Sequence, residues 1–132
     1  MSAIERTPIV VFLTEPDAAE SAISCAVDYA AGRHVMFQVI VTGSDTPGAP
    51  RYVSPADRSV VEAALKRADI PCHCVDGGEC PAQKVLATAN EVDAAIIVLG
   101  TRGRTATGKL VMGSFARQVP SSAECPVVTV RH

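Results

Sequence analysis

The sequence contains no apolar run long enough to cross a membrane, and it carries little net charge. A membrane helix needs about 20 consecutive apolar residues, and no run among the 132 residues approaches that length. The formal net charge is −2, and a near-neutral chain has little electrostatic attraction for nucleic acid or for an anionic membrane surface. We therefore expect the main partner to be neither a nucleic acid nor a membrane.

A secretory signal is also missing from the start of the chain. Residues 1–6 are not a basic stretch followed by a long apolar one. The five cysteines are an odd number, unlike the even set of a secreted disulfide scaffold. We therefore expect a cytoplasmic protein. With 48% apolar and 20% charged residues, the chain predicts one folded domain over residues 1–132.

The cysteines predict no metal site. Cys72 and Cys74 are separated by one residue, which does not match the spacing of common zinc motifs, and no second ligand pair follows. Both lie in a predicted strand, where cysteine often acts as a small buried apolar residue. Cys80 lies in a predicted loop and is the candidate for a redox role.

Short apolar runs alternate with segments of helical periodicity along the chain. Continuous runs of this kind are typical of strands that are buried on both faces of a parallel sheet. They cover residues 9–13, 34–41, 70–75, 94–99 and 126–130. The alternation predicts an α/β fold of the Rossmann-like type, with a single open, mostly parallel five-stranded sheet and helices on both faces.

Four predicted helices connect these strands. Asp17 is the expected cap of the first helix, and Ser54 with Pro55 starts the second. Pro81 opens the third helix and Ser114 the fourth, in which we expect Pro120 to kink or end the helix. The second helix has an apolar stripe that predicts its buried face: Val60, Val61, Ala64, Leu65 and Ala68.

The segment after the fourth strand carries the strongest functional signal. Gly100 and Gly103 follow that strand, and Gly113 precedes Ser114 at a predicted helix start. Phosphate is held by free backbone N–H groups, and glycine lets the backbone approach it closely. The N–H groups of Ser114 and Phe115 add positive partial charge. Residues 100–117 contain four basic side chains and no acidic one: Arg102, Arg104, Lys109 and Arg117. The segment therefore predicts an anion site.

Two known phosphate motifs do not fit this chain. Gly103 with Gly108 and Lys109 imitates a P-loop, but Leu110 stands where that loop needs Ser or Thr to hold Mg²⁺. The turn after the first strand contains no glycine, which excludes a dinucleotide fingerprint there. None of the three histidines has an evident Ser or Cys partner, so the sequence predicts no catalytic site.

The expected ligand position follows from the predicted sheet. In doubly wound sheets, ligands bind outside the carboxyl ends of the strands, where the strand order switches. If the first and fourth strands are neighbours, the loops that follow them form one crevice. Thr14 and Val41 would then line a base pocket, and residues 100–114 would hold phosphates.

The glycine pattern resembles that of the universal stress protein (UspA-like) family. The spacing Gly100-x2-Gly103-x9-Gly113-Ser114 matches the family's nucleotide-binding pattern, and Cys125 with the apolar residues after it looks like the family's closing strand. The similarity covers residues 9–130. It implies a five-stranded α/β fold, adenine-nucleotide binding and homodimerisation. It also implies a role in stress response or signalling without efficient catalysis.

The resemblance implies roles for single positions as well. The nucleoside would contact the positions of Thr14 and Val41. The ribose and phosphates would be held by the loop and helix start, where the expected contacts are Gly100, Arg102, Gly103, Gly113, Ser114 and Phe115. The implied ligand is ATP, or alternatively AMP or cyclic AMP, with Mg²⁺ as an accompanying ion. The implied dimer forms through the last strand, Val127–Val130, because an edge strand leaves backbone groups unpaired.

Thr14 is a departure from the family pattern, which commonly has Asp at the end of the first strand. A hydroxyl forms hydrogen bonds but supplies no charged acceptor. This favours a second hypothesis, a dimeric interaction module that binds no nucleotide. A third hypothesis is an enzyme of the ATP-pyrophosphatase type, which would need a Ser-Gly-Gly loop after the first strand. The sequence Thr14-Glu15-Pro16 lacks it.

Overall fold

Strands and helices alternate through the part of the chain that the computed structural model describes, which is residues 6–14, 18–42, 55–78, 80–101 and 114–131. The elements in chain order are β1 Thr7–Leu13, α1 Ala19–Tyr29, β2 Val35–Val41, α2 Pro55–Ala68, β3 Cys72–Asp76, α3 Pro81–Val92, β4 Ile96–Thr101, α4 Ser114–Ser122 and β5 Val127–Arg131. The predicted α/β alternation is confirmed. The ends of the predicted strands differ from the observed ones by at most two residues.

The five strands form one open sheet in the order β3-β2-β1-β4-β5, and every neighbouring pair is parallel. The first half of the chain builds outward from β1 through β2 to β3. The chain then crosses back to the other side of β1 and adds β4 and β5. The strand order therefore switches between β1 and β4, and the predicted open, parallel, five-stranded sheet is confirmed.

Both faces of the sheet are covered by helices, and this explains the continuous apolar runs. Successive strand side chains point to opposite faces. In β1, Ile9, Val11 and Leu13 pack in the core under α1 and α2. Val10 and Phe12 pack in the core that includes residues of α3 and α4. All five side chains are completely buried, so neither face of the strand has room for a polar residue.

The helix starts agree in part with the sequence signals. Pro55 and Pro81 are the first residues of α2 and α3, as predicted. The first helix begins at Ala19, with Ala18 in the N-cap position and no side-chain cap. Asp17, the expected cap, lies outside the described residues, as does Ser54.

One residue of the predicted apolar stripe on α2 is exposed. Val60 is 46% exposed, whereas Val61, Ala64 and Leu65 are buried and Ala68 is half-buried. Consecutive helical residues are about 100° apart around the axis, and Val60 lies at the margin of the stripe. The prediction that Val60 faces the core was therefore wrong, because the sheet beneath α2 covers a narrower arc than the stripe.

The last helix tolerates a proline near its end. Pro120 lies inside α4 and is exposed to solvent, and the helix ends two residues later at Ser122. Val119, the preceding residue, is completely buried and anchors the helix to the core shared with α3. Since a proline removes an N–H and clashes with the preceding turn, its place in the last turn limits the damage. The expectation that Pro120 ends the helix holds to within two residues.

Candidate functional site

The carboxyl ends of β1 and β4 lie side by side at the switch point. Leu13 pairs with Gly100 in the parallel register. The backbone N–H of Thr14 then donates to the carbonyl of Gly100 at 3.0 Å. The first and fourth strands are therefore neighbours, which is the arrangement that a shared crevice between their following loops requires.

Three threonines form a row across the sheet directly at this edge. The register places Thr14 beside Thr42 on one side and beside Thr101 on the other, because Leu13 pairs with both Val41 and Gly100. All three side chains are buried, with exposed fractions of 1%, 1% and 4% for Thr14, Thr42 and Thr101. We call these three residues the threonine row.

The hydroxyls at one end of the threonine row are hydrogen-bonded to the backbone and to each other. The Thr14 hydroxyl lies 3.3 Å from the Gly100 carbonyl oxygen and 3.3 Å from the Thr101 hydroxyl. If Thr14 donates to the carbonyl and accepts from Thr101, both hydroxyls are satisfied. This pair ties Thr14, the residue that directly follows β1, to Thr101, the last residue of β4.

Thr42 behaves differently from the other two members of the row. Its backbone N–H donates to the Leu13 carbonyl at 3.0 Å. Its hydroxyl is buried, and within the described residues it is a side-chain polar atom without any hydrogen-bond partner. Buried polar groups in proteins are nearly always paired, so this hydroxyl needs an explanation.

The sequence did contain a signal for the threonine row, since each threonine directly follows or ends an apolar strand. Sequence reasoning used Thr14 alone.

Gly100 has a packing reason to be glycine. A Cβ on this residue would lie 2.8 Å from Leu13 Cδ2, 3.0 Å from Ala22 Cβ and 3.3 Å from Ala18 Cβ. The absent side chain thus lets α1 approach β4 closely, near the start of the helix. Its carbonyl is already occupied by Thr14.

Val41 ends β2 beside the site, but its side chain belongs to the core under α1 and α2. Its carbonyl accepts from the N–H of Gly77 at 2.8 Å. Gly77 is also tightly packed, because an added Cβ would come within 2.6 Å of Pro81 Cβ. The turn after β3 is therefore closely fitted between β2 and the start of α3.

Most of the glycine loop lies outside the described residues. Of the residues with expected phosphate contacts, Arg102, Gly103 and Gly113 lie outside the described residues. Ser114 and Phe115 are the first two residues of α4, as the sequence predicted. Their contacts with a ligand remain a prediction.

A separate open groove of about 810 Å³ lies away from the switch point, along α2 and the edge strand β3. Its lining combines three cationic side chains with two acidic ones: Arg6, Arg58, Lys66, Glu62 and Asp69. Arg58 is held in place by Glu62 at 3.1 Å and by the Cys74 carbonyl at 3.1 Å. Because the charges nearly balance, the groove has no strong preference for an ion of either sign.

The two cysteines of β3 also line this groove, and they are not buried as the sequence suggested. Cys72 is exposed and Cys74 is half-buried, because β3 is an edge strand. Partial burial raises the pKa of the Cys74 thiol, while the Arg58 guanidinium acts in the opposite direction. Burial likewise raises the pKa of the Cys125 thiol. Cys80 is exposed at the N-cap position of α3.

Among the described residues, no group of three or more His, Cys, Asp or Glu side chains is placed to hold a metal ion. None of the helices in the described part of the chain is long and apolar enough to span a membrane.

These observations define a class of protein: a doubly wound, parallel α/β domain with a polar edge at its topological switch point. The model of the universal stress protein family matches residues 5–131. The chain therefore belongs to the universal stress protein family, and the resemblance noted in its glycine pattern is confirmed.

Individual relatives agree with this assignment. A universal stress protein of Methanocaldococcus jannaschii is 27% identical over 125 residues, which are 87% of this chain and 74% of the relative. The structure of a universal stress protein from Archaeoglobus fulgidus is 30% identical, with a TM-score of 0.68 over 95% of this chain and 98% of the other.

Two further similar structures contain nucleotides. A universal stress protein from Archaeoglobus fulgidus in complex with dAMP is 24% identical, with a TM-score of 0.60 over 96% of this chain and 98% of the other. A universal stress protein in complex with cAMP is also 24% identical, with a TM-score of 0.63 and the same coverage, 96% and 98%. At this identity the likeness establishes the shared fold.

Proposed function

We propose that this protein binds an adenine nucleotide at the switch point between β1 and β4, and that it acts in stress response or signalling without efficient catalysis. The observation that carries the proposal is the adjacency of the two strand ends, where Thr14 bonds to Gly100 and to Thr101. Ligands of doubly wound sheets occupy this position. The dAMP and cAMP complexes of two relatives support an adenine nucleotide as the ligand class.

The ligand would lie across the carboxyl edge of the sheet. Its nucleoside would face the ends of β1 and β2, near Thr14 and Val41. Its phosphates would extend toward Gly100 and the start of α4, where Ser114 and Phe115 present backbone N–H groups that attract an anion. Arg102, Gly103 and Gly113 are the proposed contacts from the loop between them. ATP is the proposed nucleotide, with AMP and cyclic AMP as alternatives, and Mg²⁺ would accompany the phosphates.

A neutral residue at position 14 has a chemical consequence for this site. The Thr14 hydroxyl is already engaged with the Gly100 carbonyl and with Thr101, so it offers a ligand little hydrogen-bonding capacity and no charge. This observation favours the second candidate function, a dimeric interaction module that binds no nucleotide. The two candidates differ in one measurable property, which is nucleotide affinity.

Titration calorimetry with AMP, ATP and cyclic AMP tests the proposal, together with native mass spectrometry of the protein as purified. We expect saturable binding of at least one of these nucleotides. The Gly113→Val variant should lose binding while its far-UV circular dichroism stays unchanged. No bound small molecule, no heat and no thermal shift with any of the three would favour the interaction module instead.

A glycine at the opposite edge of the sheet provides the matched control. Gly32 has a φ of +75°, and a Cβ added there would meet no described atom within 4 Å. The residue precedes β2 at the amino end of that strand. Asparagine tolerates this backbone region. The Gly32→Asn variant should therefore bind nucleotide like the wild type. Equal binding by the Gly113→Val variant would exclude the glycine loop as the phosphate site.

We also propose a homodimer that forms through β5. This strand is at one edge of the sheet, and Val128 is 37% exposed on it. An edge strand presents unpaired N–H and C=O groups that can pair with a second copy. Two β5 strands that pair in this way would bury the predicted contact segment, Val127–Val130.

A further inference from the structure

Thr42 carries a buried hydroxyl at the carboxyl end of β2. The residue is 1% exposed, and its Oγ1 has no hydrogen-bond partner in the described part of the chain. Leaving a buried hydroxyl unpaired costs free energy, whereas an apolar side chain of the same shape would cost nothing at this position. The sequence nevertheless has threonine there.

The missing bond is specific to this member of the threonine row. Thr14 and Thr101 are equally buried, and both are paired. The row lies at the carboxyl edge of three adjacent strands, which is the edge at which doubly wound sheets bind ligands. A polar group that is unpaired at such an edge is placed to be paired by a ligand.

We propose that the Thr42 hydroxyl is a nucleoside-contacting group of the adenine-nucleotide site, and that the bound nucleotide supplies its missing hydrogen bond. The inference rests on the proposed function. We assign the contact to the nucleoside and not to the phosphates because β1 separates β2, which Thr42 follows, from β4, where the phosphates are proposed to bind. Two strand spacings of about 4.8 Å each separate Thr42 from Thr101, and the proposed phosphate site lies beyond Thr101.

The Thr42→Val variant separates this role from a merely structural one, because it should change stability and affinity in opposite directions. Valine has the shape of threonine without the unpaired hydroxyl. The free variant should therefore melt at a higher temperature than the wild type, by about 2–6 °C. Its Kd for AMP should rise by about 3- to 12-fold, the value of one neutral hydrogen bond.

Two variants control the experiment. Thr42→Ser keeps the hydroxyl and should keep most of the wild-type affinity. Thr7→Val makes the same chemical change at the amino end of β1, at the other edge of the sheet. It should leave the Kd unchanged.

A ligand series then tests which part of the nucleotide Thr42 contacts. Adenosine, AMP and ATP share the nucleoside and differ in their phosphates. If Thr42 contacts the nucleoside, the Thr42→Val substitution should weaken all three by the same factor. A loss that is present for AMP and ATP but absent for adenosine would place the contact on the phosphates and overturn the assignment.

The failure of this inference can be distinguished from the failure of the proposed function. If the wild type binds AMP and Thr42→Val binds it equally well, the hydroxyl is not a ligand contact, and this inference alone is overturned. If the wild type binds no adenine nucleotide at all, both are overturned. An AMP affinity that falls in Thr42→Val and returns in Thr42→Ser supports the contact.

Discussion

The Thr14 hydroxyl and the Gly100 carbonyl oxygen lie 3.3 Å apart although 86 residues separate them in the chain. The Thr14 N–H donates to the same carbonyl at 3.0 Å, so backbone and side chain of one residue converge on one acceptor. The Thr101 hydroxyl, 3.3 Å from Thr14 Oγ1, completes the cluster. The carboxyl ends of β1 and β4 are thus joined by polar contacts at the point where the strand order switches.

The same substitution should have opposite effects on stability at two neighbouring positions of the threonine row. Thr14→Val removes a hydroxyl that is hydrogen-bonded, and should lower the free energy of unfolding by about 1 kcal/mol. Thr42→Val removes a hydroxyl that has no hydrogen-bond partner within the described ranges, and should raise the free energy of unfolding. Urea unfolding of the nucleotide-free proteins checks both. If Thr14→Val were as stable as the wild type, the contacts with Gly100 and Thr101 would contribute nothing.

Gly100→Ala should destabilise the fold by overpacking. The new Cβ would lie 2.8 Å from Leu13 Cδ2, which is closer than real Cβ contacts, and 3.0 Å from Ala22 Cβ, which is tighter than most of them. An insertion of this kind into a packed core costs about 1–3 kcal/mol. Chemical denaturation measures the loss.

Shortening the nearest neighbour tests the cause of that loss. Leu13→Val removes the closest contacting atom, so the double variant Leu13→Val with Gly100→Ala should lose less stability than the two single variants together. Strict additivity would show that the cost of Gly100→Ala arises elsewhere, for example in the backbone.

Burial of two thiols predicts their reactivity. The raised pKa of Cys74 and of Cys125 reduces the thiolate fraction at neutral pH. Since the thiolate is the nucleophile, both should react with iodoacetamide more slowly than exposed Cys72, and their rates should still be rising in the alkaline range. Peptide mass spectrometry after timed labelling resolves the individual sites. Equal rates for Cys72 and Cys74 would contradict the prediction.

The same two pKa shifts predict how stability depends on pH. A thiol whose pKa is higher in the folded protein than in the unfolded chain favours the folded state while both states are protonated. The contribution is lost as the pH rises through the alkaline range, because the unfolded chain releases its proton first. Stability should therefore fall with rising pH in that range, and replacing Cys74 with Ala should reduce the slope.

The proposed dimer can be tested with two exposed valines. Val128 on β5 is 37% exposed and Val60 on α2 is 46% exposed. Lysine on an edge strand opposes pairing with a second strand, so Val128→Lys should be monomeric in sedimentation velocity. Val60→Lys adds the same charge on a helix and should keep the mass of the wild type. A wild type that is monomeric at high concentration would rule out the dimer.

The order and type of the elements could be predicted from the sequence because each strand is buried on both faces. Runs such as residues 9–13 and 94–99 have no polar residue to disguise them, and the alternation with helices leaves a parallel sheet as the simplest arrangement. The helix starts at Pro55 and Pro81 could also be predicted from the sequence, because proline is pre-organised for the first turn of a helix.

The place of a strand within the sheet is where sequence reasoning ran out, and the error at the cysteines of β3 has that origin. Nothing in the local pattern distinguishes an edge strand from an inner one when both are apolar. Cys72 was therefore expected to be buried, but it is exposed on the edge strand β3. Val60 was expected to face the core because a helical stripe does not reveal how wide a surface it will cover.

The candidate site was predictable in outline and not in its polar detail. The crevice between the first and fourth strands followed from general rules of doubly wound sheets. The threonine row required the register, because Thr42 and Thr101 become neighbours of Thr14 only when Leu13 pairs with Val41 and Gly100. That the Thr42 hydroxyl has no hydrogen-bond partner among the described residues is a three-dimensional property that no local pattern records.

The crossover from β3 back to β4 has a consequence for how the protein assembles. The proposed site between the carboxyl ends of β1 and β4 does not exist in any local stretch of chain, because the two strands come from opposite halves of the sequence and become neighbours only when the sheet forms. Contacts between residues so distant in sequence are slow to form. A nucleotide bound there would contact both halves of the chain. Its binding would therefore raise the free energy of unfolding of the whole domain.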